Sequence, residues 1–163
     1  MNNLLIAVMY QNRKSLDAAI NILEQHFGPI KAKSKEYNFN FTNYYEKEFG
    51  KSLKKTILIF EKTIEKSDLP EIREKTGEIE QQLSMHSKRT VNIDPGSISG
   101  SELVLATKKA KPWKEHLGKG IYAHKILEFK YGNITAFKNT FADYKTKQNI
   151  DFFRKVINTA NNS

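Results

Sequence analysis

Two runs, Leu4 to Tyr10 and Ile57 to Phe60, are apolar at every position, and they restrict this chain more than any other feature. A strand with one wet face alternates apolar and polar residues, whereas these runs do not alternate, which is the pattern of strands covered on both faces. The polar residues Gln11, Asn12 and Arg13 end the first run, and the second lies in a predicted strand from Leu53 to Phe60. Neither run approaches the roughly 20 residues of a membrane-spanning helix. Leu4 to Tyr10 also has no basic region before it and no small-residue cleavage pattern after it, so it reads as a strand and not a signal. The expectation is a soluble, cytoplasmic protein with no membrane partner.

Between the strands lie three helical patterns. Ser15 is the predicted cap of the first, where Leu16, Ala19, Ile20, Leu23 and Phe27 share one face and Gly28-Pro29 stops the helix. In the second, Asp68 and Glu71 have capping-box spacing, Pro70 sits in the first turn, and Ile72, Thr76, Ile79 and Leu83 line one face. The third runs from Thr146 to Ala160, with Ile150, Phe153, Val156, Ile157 and Ala160 as its buried stripe. Tyr37 to Tyr45 alternates in part, as a strand leading into a turn or functional segment at Thr42 to Gly50. Arg89 to Ile93 reads as a short strand broken sharply at Asp94, Pro95, Gly96 and Ser97. Leu103 to Ala106 is too short to assign to strand or helix, and Tyr131-Gly132-Asn133 joins Ile121 to Lys130 with Ile134 to Phe137 as a hairpin. With no internal repeat or linker, residues 1–163 are expected to form a single α+β domain, a mixed or antiparallel sheet with about three helices packed on it.

Cysteine is absent, which excludes disulfides, thiolate-ligated metals and a cysteine nucleophile. The 27 Lys and Arg exceed the 18 Asp and Glu, giving a net charge of +9 that attracts polyanions. All the cations but Arg13, Arg73, Arg89 and Arg154 are lysines, which are less suited than arginine to bidentate recognition of phosphate or guanine. A solvated lysine-rich surface explains the balance equally well.

Gly50-Lys51-Ser52 resembles the tail of a phosphate-binding loop, but the glycine required five residues earlier is Tyr45, and a strand follows instead of a helix. A GTP-binding label based on this tripeptide therefore has no support. Asp94-Pro95-Gly96 places a carboxylate at the end of a predicted strand beside a glycine that permits close approach, as in many ligand or metal sites. An ordinary Asp-Pro-Gly turn reads the same way. Tyr44, Tyr45 and Glu46, and again Asp143 and Tyr144, offer phenols and carboxylates at element ends, suited to stacking on a base or orienting a polar ligand. His26, His86, His116 and His124 form no ligand pattern, so no metal is expected. Ser97, Ser99 and Ser101 stand in no nucleophile elbow. From Lys108 to Lys125, Lys108, Lys109, Lys111, Lys114, Lys119 and Lys125 are interleaved with Trp113, His116, Tyr122 and His124. This combination can hold single-stranded nucleic acid, although no RNA-binding signature accompanies it.

The blocks Tyr44 to Glu48, Val91 to Gly96 and Leu117 to Ala123 resemble the uncharacterised prokaryotic family called domain of unknown function 4416, and the likeness covers nearly the whole chain. The resemblance implies no established activity, though some members are loosely labelled GTP-binding. It marks Tyr44, Tyr45, Glu46, Arg89, Asn92, Asp94, Lys119, Gly120, Tyr122, Asp143 and Tyr144 as positions that match the family pattern. Two positions depart from it: His124 stands where an acid is expected, and Lys114 where an arginine is expected.

Two functions follow. The preferred one is a site for a small anionic or phosphorylated ligand, in which Arg89, Lys108 and Lys119 neutralise the ligand while Glu46 and Asp94 bind its hydroxyls or a metal, or act as acid and base. Tyr44, Glu46, Arg89, Asp94, Lys119 and Asp143 are then expected to converge, with Arg89 paired to a carboxylate of that set. The alternative is a non-catalytic RNA-binding or protein-interaction module that uses the surface from Lys108 to Lys125. Neither reading names a cofactor or fixes the oligomeric state.

Overall fold

A computed structural model describes residues 2–110 and 114–161. Strand β1 (Asn2–Tyr10) leads into helix α1 (Arg13–Phe27). Asn12, rather than Ser15, caps this helix: its Oδ1 accepts the Lys14 N–H at 2.8 Å, so the helix starts earlier than Ser15 would allow. After Gly28 come β2 (Ile30–Lys33) and β3 (Tyr37–Asn38). The strand expected from Tyr37 to Tyr45 therefore pairs over two residues only, and the stretch beyond it loops back, with the Phe39 N–H donating to the Leu53 carbonyl at 2.7 Å. A short helix α2 (Glu46–Phe49) ends at Gly50, whose φ of 87° suits glycine. Strand β4 (Lys54–Ile64) follows, so Gly50-Lys51-Ser52 turns into a strand. A 3-10 turn, Lys66–Asp68, precedes α3 (Leu69–Gln82), and the reciprocal cap is Glu65 with Asp68 instead of Asp68 with Glu71.

The next strand corrects the reading of the Asp-Pro-Gly block. Strand β5 (Val91–Ile98) runs straight through Asp94, Pro95 and Gly96. Pairing with β6 (Glu102–Thr107) begins only at Gly96, opposite Leu105, so a proline at position 95 removes no bond on that side. The undecided segment Leu103 to Ala106 is thus strand. Then come β7 (Glu115–Gly118), β8 (Ile121–Lys130) and β9 (Asn133–Ala136). Tyr131 and Gly132 both have positive φ, 51° and 77°, which is the backbone of a tight two-residue hairpin. A 3-10 turn, Ala142–Lys145, leads into α4 (Lys147–Asn161).

The nine described strands form one sheet, antiparallel at every pair, in the order β2-β4-β1-β5-β6-β8-β7, with β3 beside β4 and β9 beside β8. The uninterrupted apolar run of β1 is explained by its two covered faces. Leu4, Ile6, Val8 and Tyr10 belong to a core with Leu16, Ala19 and Leu23 of α1 and Ile72 and Ile79 of α3. Leu5 and Ala7 belong to a second core with Tyr144 and with Phe153 and Val156 of α4. Each aliphatic side chain so buried contributes about 1.5–3 kcal/mol. Ala160, expected in the buried stripe of α4, is exposed. Among the described residues, no helix is long and apolar enough to cross a membrane.

Candidate functional site

Register places the first polar cluster. Met9 of β1 lies opposite Lys55 of β4 on one side and Asn92 of β5 on the other, so Lys55 and Asn92 rise from the same face of the sheet as Leu5 and Ala7. Asp94 stands opposite Ala7 on that face. The 3-10 turn before α4 brings Asp143 down onto it. The Lys55 ammonium lies 2.8 Å from Asp143 Oδ2, and the Tyr37 hydroxyl donates to the same oxygen at 2.7 Å. Lys55 Nζ is also 5.0 Å from the ring centres of both Phe39 and Tyr144. Burial, with Asp143 beside it, pushes the Tyr37 phenol far up, and burial raises Tyr144 likewise. Tyr45 is half-buried against Phe39 and Phe49, and burial, then the nearby Asp94, pushes its phenol up to about 12.

From Asp94 a chain of hydrogen bonds leads around the end of the sheet. Asn92 donates to Asp94 Oδ2 at 2.9 Å and accepts from Arg89 Nη1 at 3.0 Å. The Arg89 guanidinium makes a two-point contact with Glu48, 2.8 Å at both oxygens, reaches Glu80 at 3.1 Å, and lies over the Phe49 ring. These hydrogen bonds hold the Glu48 carboxyl below its usual range. Glu80, on α3, is buried, and its burial raises its carboxyl despite the Ile93 N–H that donates to it at 2.7 Å and the nearby Arg89.

Arg89 also borders a hollow of about 580 Å³ on the α3 side, lined by Arg73, Glu74, Gly77 and Glu80 of the helix and by Lys108, Lys119 and Ile121. A Cβ on Gly77 would meet no atom within 4 Å, so this stretch of the helix leaves the hollow open. Lys119 is held in left-handed backbone (φ 52°) between Gly118 and Gly120, and its ammonium lies 3.4 Å from Glu74. Arg73 Nε is buried and has no hydrogen-bond partner among the described residues. Four cations from four separate segments therefore face two carboxylates around one hollow.

The residues singled out in the sequence are divided by this arrangement. Arg89, Asn92, Asp94, Tyr45, Asp143 and Tyr144 belong to the polar chain or its electrostatic surroundings, with Tyr144 fully buried and stacked on Phe153. Lys119 joins Arg89 at the hollow instead. Tyr44 stays exposed, its ring edge-on to Tyr45 at 5.0 Å. Glu46 is exposed at the start of α2, and the carboxylate that grips Arg89 is Glu48, two residues further on. The partners of Arg89 are thus Glu48 and Glu80, outside the expected set. Tyr122 packs on His116 at a centroid distance of 4.9 Å. In the basic segment, Lys111 and Trp113 lie outside the described residues, and Lys125 is paired with Glu128 at 2.8 Å. Among the described residues, no group of three or more His, Asp or Glu is arranged to hold a metal.

A family model matches residues 1–159. The chain belongs to the family described as Domain of unknown function (DUF4416). No curated protein and no solved structure matches it. The two departures from the DUF4416 pattern, Lys114 and His124, are electrostatic neighbours. His124 is buried edge-on against Phe141, and burial followed by Lys114 pushes its pKa down to about 4, against the opposing influence of the Asn139 backbone. Its unfolded value is near 6.5, so between about 6.5 and about 4 the unfolded chain binds the extra proton. The stability that depends on the neutral ring is therefore complete above that window and lost as pH falls through it. His124→Leu removes the titrating ring, and its melting temperature is expected to fall less than that of the parent between pH 7 and pH 4. Parallel melting curves against pH would reject this account of His124.

Proposed function

We propose that this DUF4416 protein binds a small anionic molecule, phosphorylated or carboxylated, in the hollow between α3 and the ends of β5, β6 and β8. The observation that carries this reading is the convergence of Arg73, Arg89, Lys108 and Lys119 on one hollow, with the buried Arg73 Nε lacking a partner. A buried donor without a partner is destabilising by about 1–3 kcal/mol, and an anion that draws the Arg73 guanidinium into the hollow relieves that cost. Arg89 is already held by Glu48, Glu80 and Asn92, so it serves as a rigid wall of positive charge. The further cationic contacts come from Lys108 and Lys119. Glu80, which lines the hollow and is fixed by Arg89, would orient ligand hydroxyls.

The test is calorimetric titration with inorganic phosphate and a panel of sugar phosphates. Charged hydrogen bonds contribute about 1.5–3 kcal/mol, so Arg73→Gln is expected to raise Kd by about ten- to a hundredfold. Lys119→Gln should weaken binding less, because Glu74 already shares its charge. Saturable binding that Arg73→Gln leaves unchanged would overturn the assignment. Tight, salt-sensitive binding of single-stranded RNA, indifferent to Arg73, would favour the basic segment as a nucleic-acid surface instead.

A further inference from the structure

A second hollow lies on the opposite flank, between the edge strand β2 and helix α4, and encloses about 830 Å³. Its floor is apolar, formed by Ala32, Phe152 and Val156. Its rim is basic, with Lys31 and Lys33 on the strand, Lys35 just beyond its end and Lys155 across from them on the helix. Lys33, Lys35 and Lys155 have no ion-pair partner among the described residues, and Asp151, the rim's acid, is engaged by Lys147 at 3.0 Å. Strand β2 ends the sheet order, so its outer edge pairs with no described strand.

We infer that this groove receives an acidic peptide in extended conformation, which adds to the sheet beside β2. Three features select that occupant. The free edge offers backbone donors and acceptors that only another strand can use in register. On β2 the exposed Lys31 and Lys33 alternate with the half-buried Ala32. A partner alternating acidic and apolar residues therefore matches both the rim and the floor. Edge lysines also discourage pairing between copies of the same chain. With a net charge of +9, a second copy is repelled by the charges that attract an acidic segment.

The probe is a fluorescein-labelled octapeptide, Glu-Val-Glu-Leu-Glu-Val-Glu-Leu, followed by anisotropy at low salt. Saturable binding is expected, with at least a tenfold loss of affinity in Lys33→Glu/Lys155→Glu. Both side chains are exposed, so the variant's melting curve should match that of the parent. Methylating alternate peptide nitrogens of the probe removes strand pairing and should abolish binding. Binding that survives this methylation or the double substitution overturns the proposal, as does the absence of binding at millimolar peptide. Capture of the protein by phosphatidylglycerol vesicles through this face, undisturbed by the peptide, also overturns it and identifies the groove as a lipid contact.

Discussion

Lys55→Met is expected to destabilise the fold by about 3–5 kcal/mol, the cost of leaving one member of a buried ion pair alone. The Lys55 and Asp143 side chains are 7% and 3% exposed, so water cannot replace the lost ammonium. Tyr37 still donates to Asp143, but one neutral hydroxyl does not offset a buried negative charge. Domains of this kind are stable by about 5–15 kcal/mol, so the loss should show as a large fall in urea midpoint. Partner replacement separates a charge effect from a packing effect. In Lys55→Met/Asp143→Leu no charge is buried, and most of the loss should be recovered. The remainder is the Tyr37 hydroxyl, now without its acceptor, about 1–3 kcal/mol that adding Tyr37→Phe should recover. If the double variant is no more stable than Lys55→Met, the pair is not what sets the stability of this region.

Much of the fold is legible in the sequence because it is written in local periodicities. The stripes of α1, α3 and α4 and the Tyr131-Gly132 turn need only neighbours along the chain to be recognised. The site is harder to read because its partners are distant: Tyr37 and Asp143 stand 106 residues apart, and Arg89 and Glu48 stand 41 apart. Two signals were nonetheless present. Lys54 and Lys55 both stand in the predicted strand from Leu53 to Phe60, and since successive residues of a strand face opposite ways, one of the two has to turn inward and find a partner. Glu48 belongs to the Tyr44 to Glu48 block, and the spacing alone does not say which of its two acids turns inward. Arg73 and Glu80 carried no signal of their own, since charged residues on a helix are usually solvated, and only the packing of α3 against β5 makes them part of a site.

The Asp94-Pro95-Gly96 block shows how a local rule loses to a tertiary one, and Gly96→Ala tests the reason. The three residues have the composition of a turn, yet they continue a strand because β1 pairs with β5 through all of them, while β6 pairs only from Gly96 onward and so tolerates Pro95. At Gly96 the strands approach so closely that a Cβ would lie 2.1 Å from the Val104 carbonyl oxygen and 3.1 Å from Leu105 Cα. Those are backbone atoms and cannot swing aside. Relief would require parting β5 from β6, whose register consists of the pairs Gly96–Leu105, Ser97–Val104 and Ile98–Leu103. In an uncrowded strand, alanine is favoured over glycine by about 0.5–1 kcal/mol, so propensity alone predicts a gain. Overpacking commonly costs about 1–3 kcal/mol, and against an immovable carbonyl the net loss is expected at about 3 kcal/mol or more. Gly77→Ala is the matched control. There a Cβ meets nothing within 4 Å, so the same substitution should stabilise α3 by about 0.5–1 kcal/mol. Urea midpoints moving in opposite directions are the expected result, and a Gly96→Ala midpoint at or above the parent's would show that β5 and β6 do not approach as closely as this.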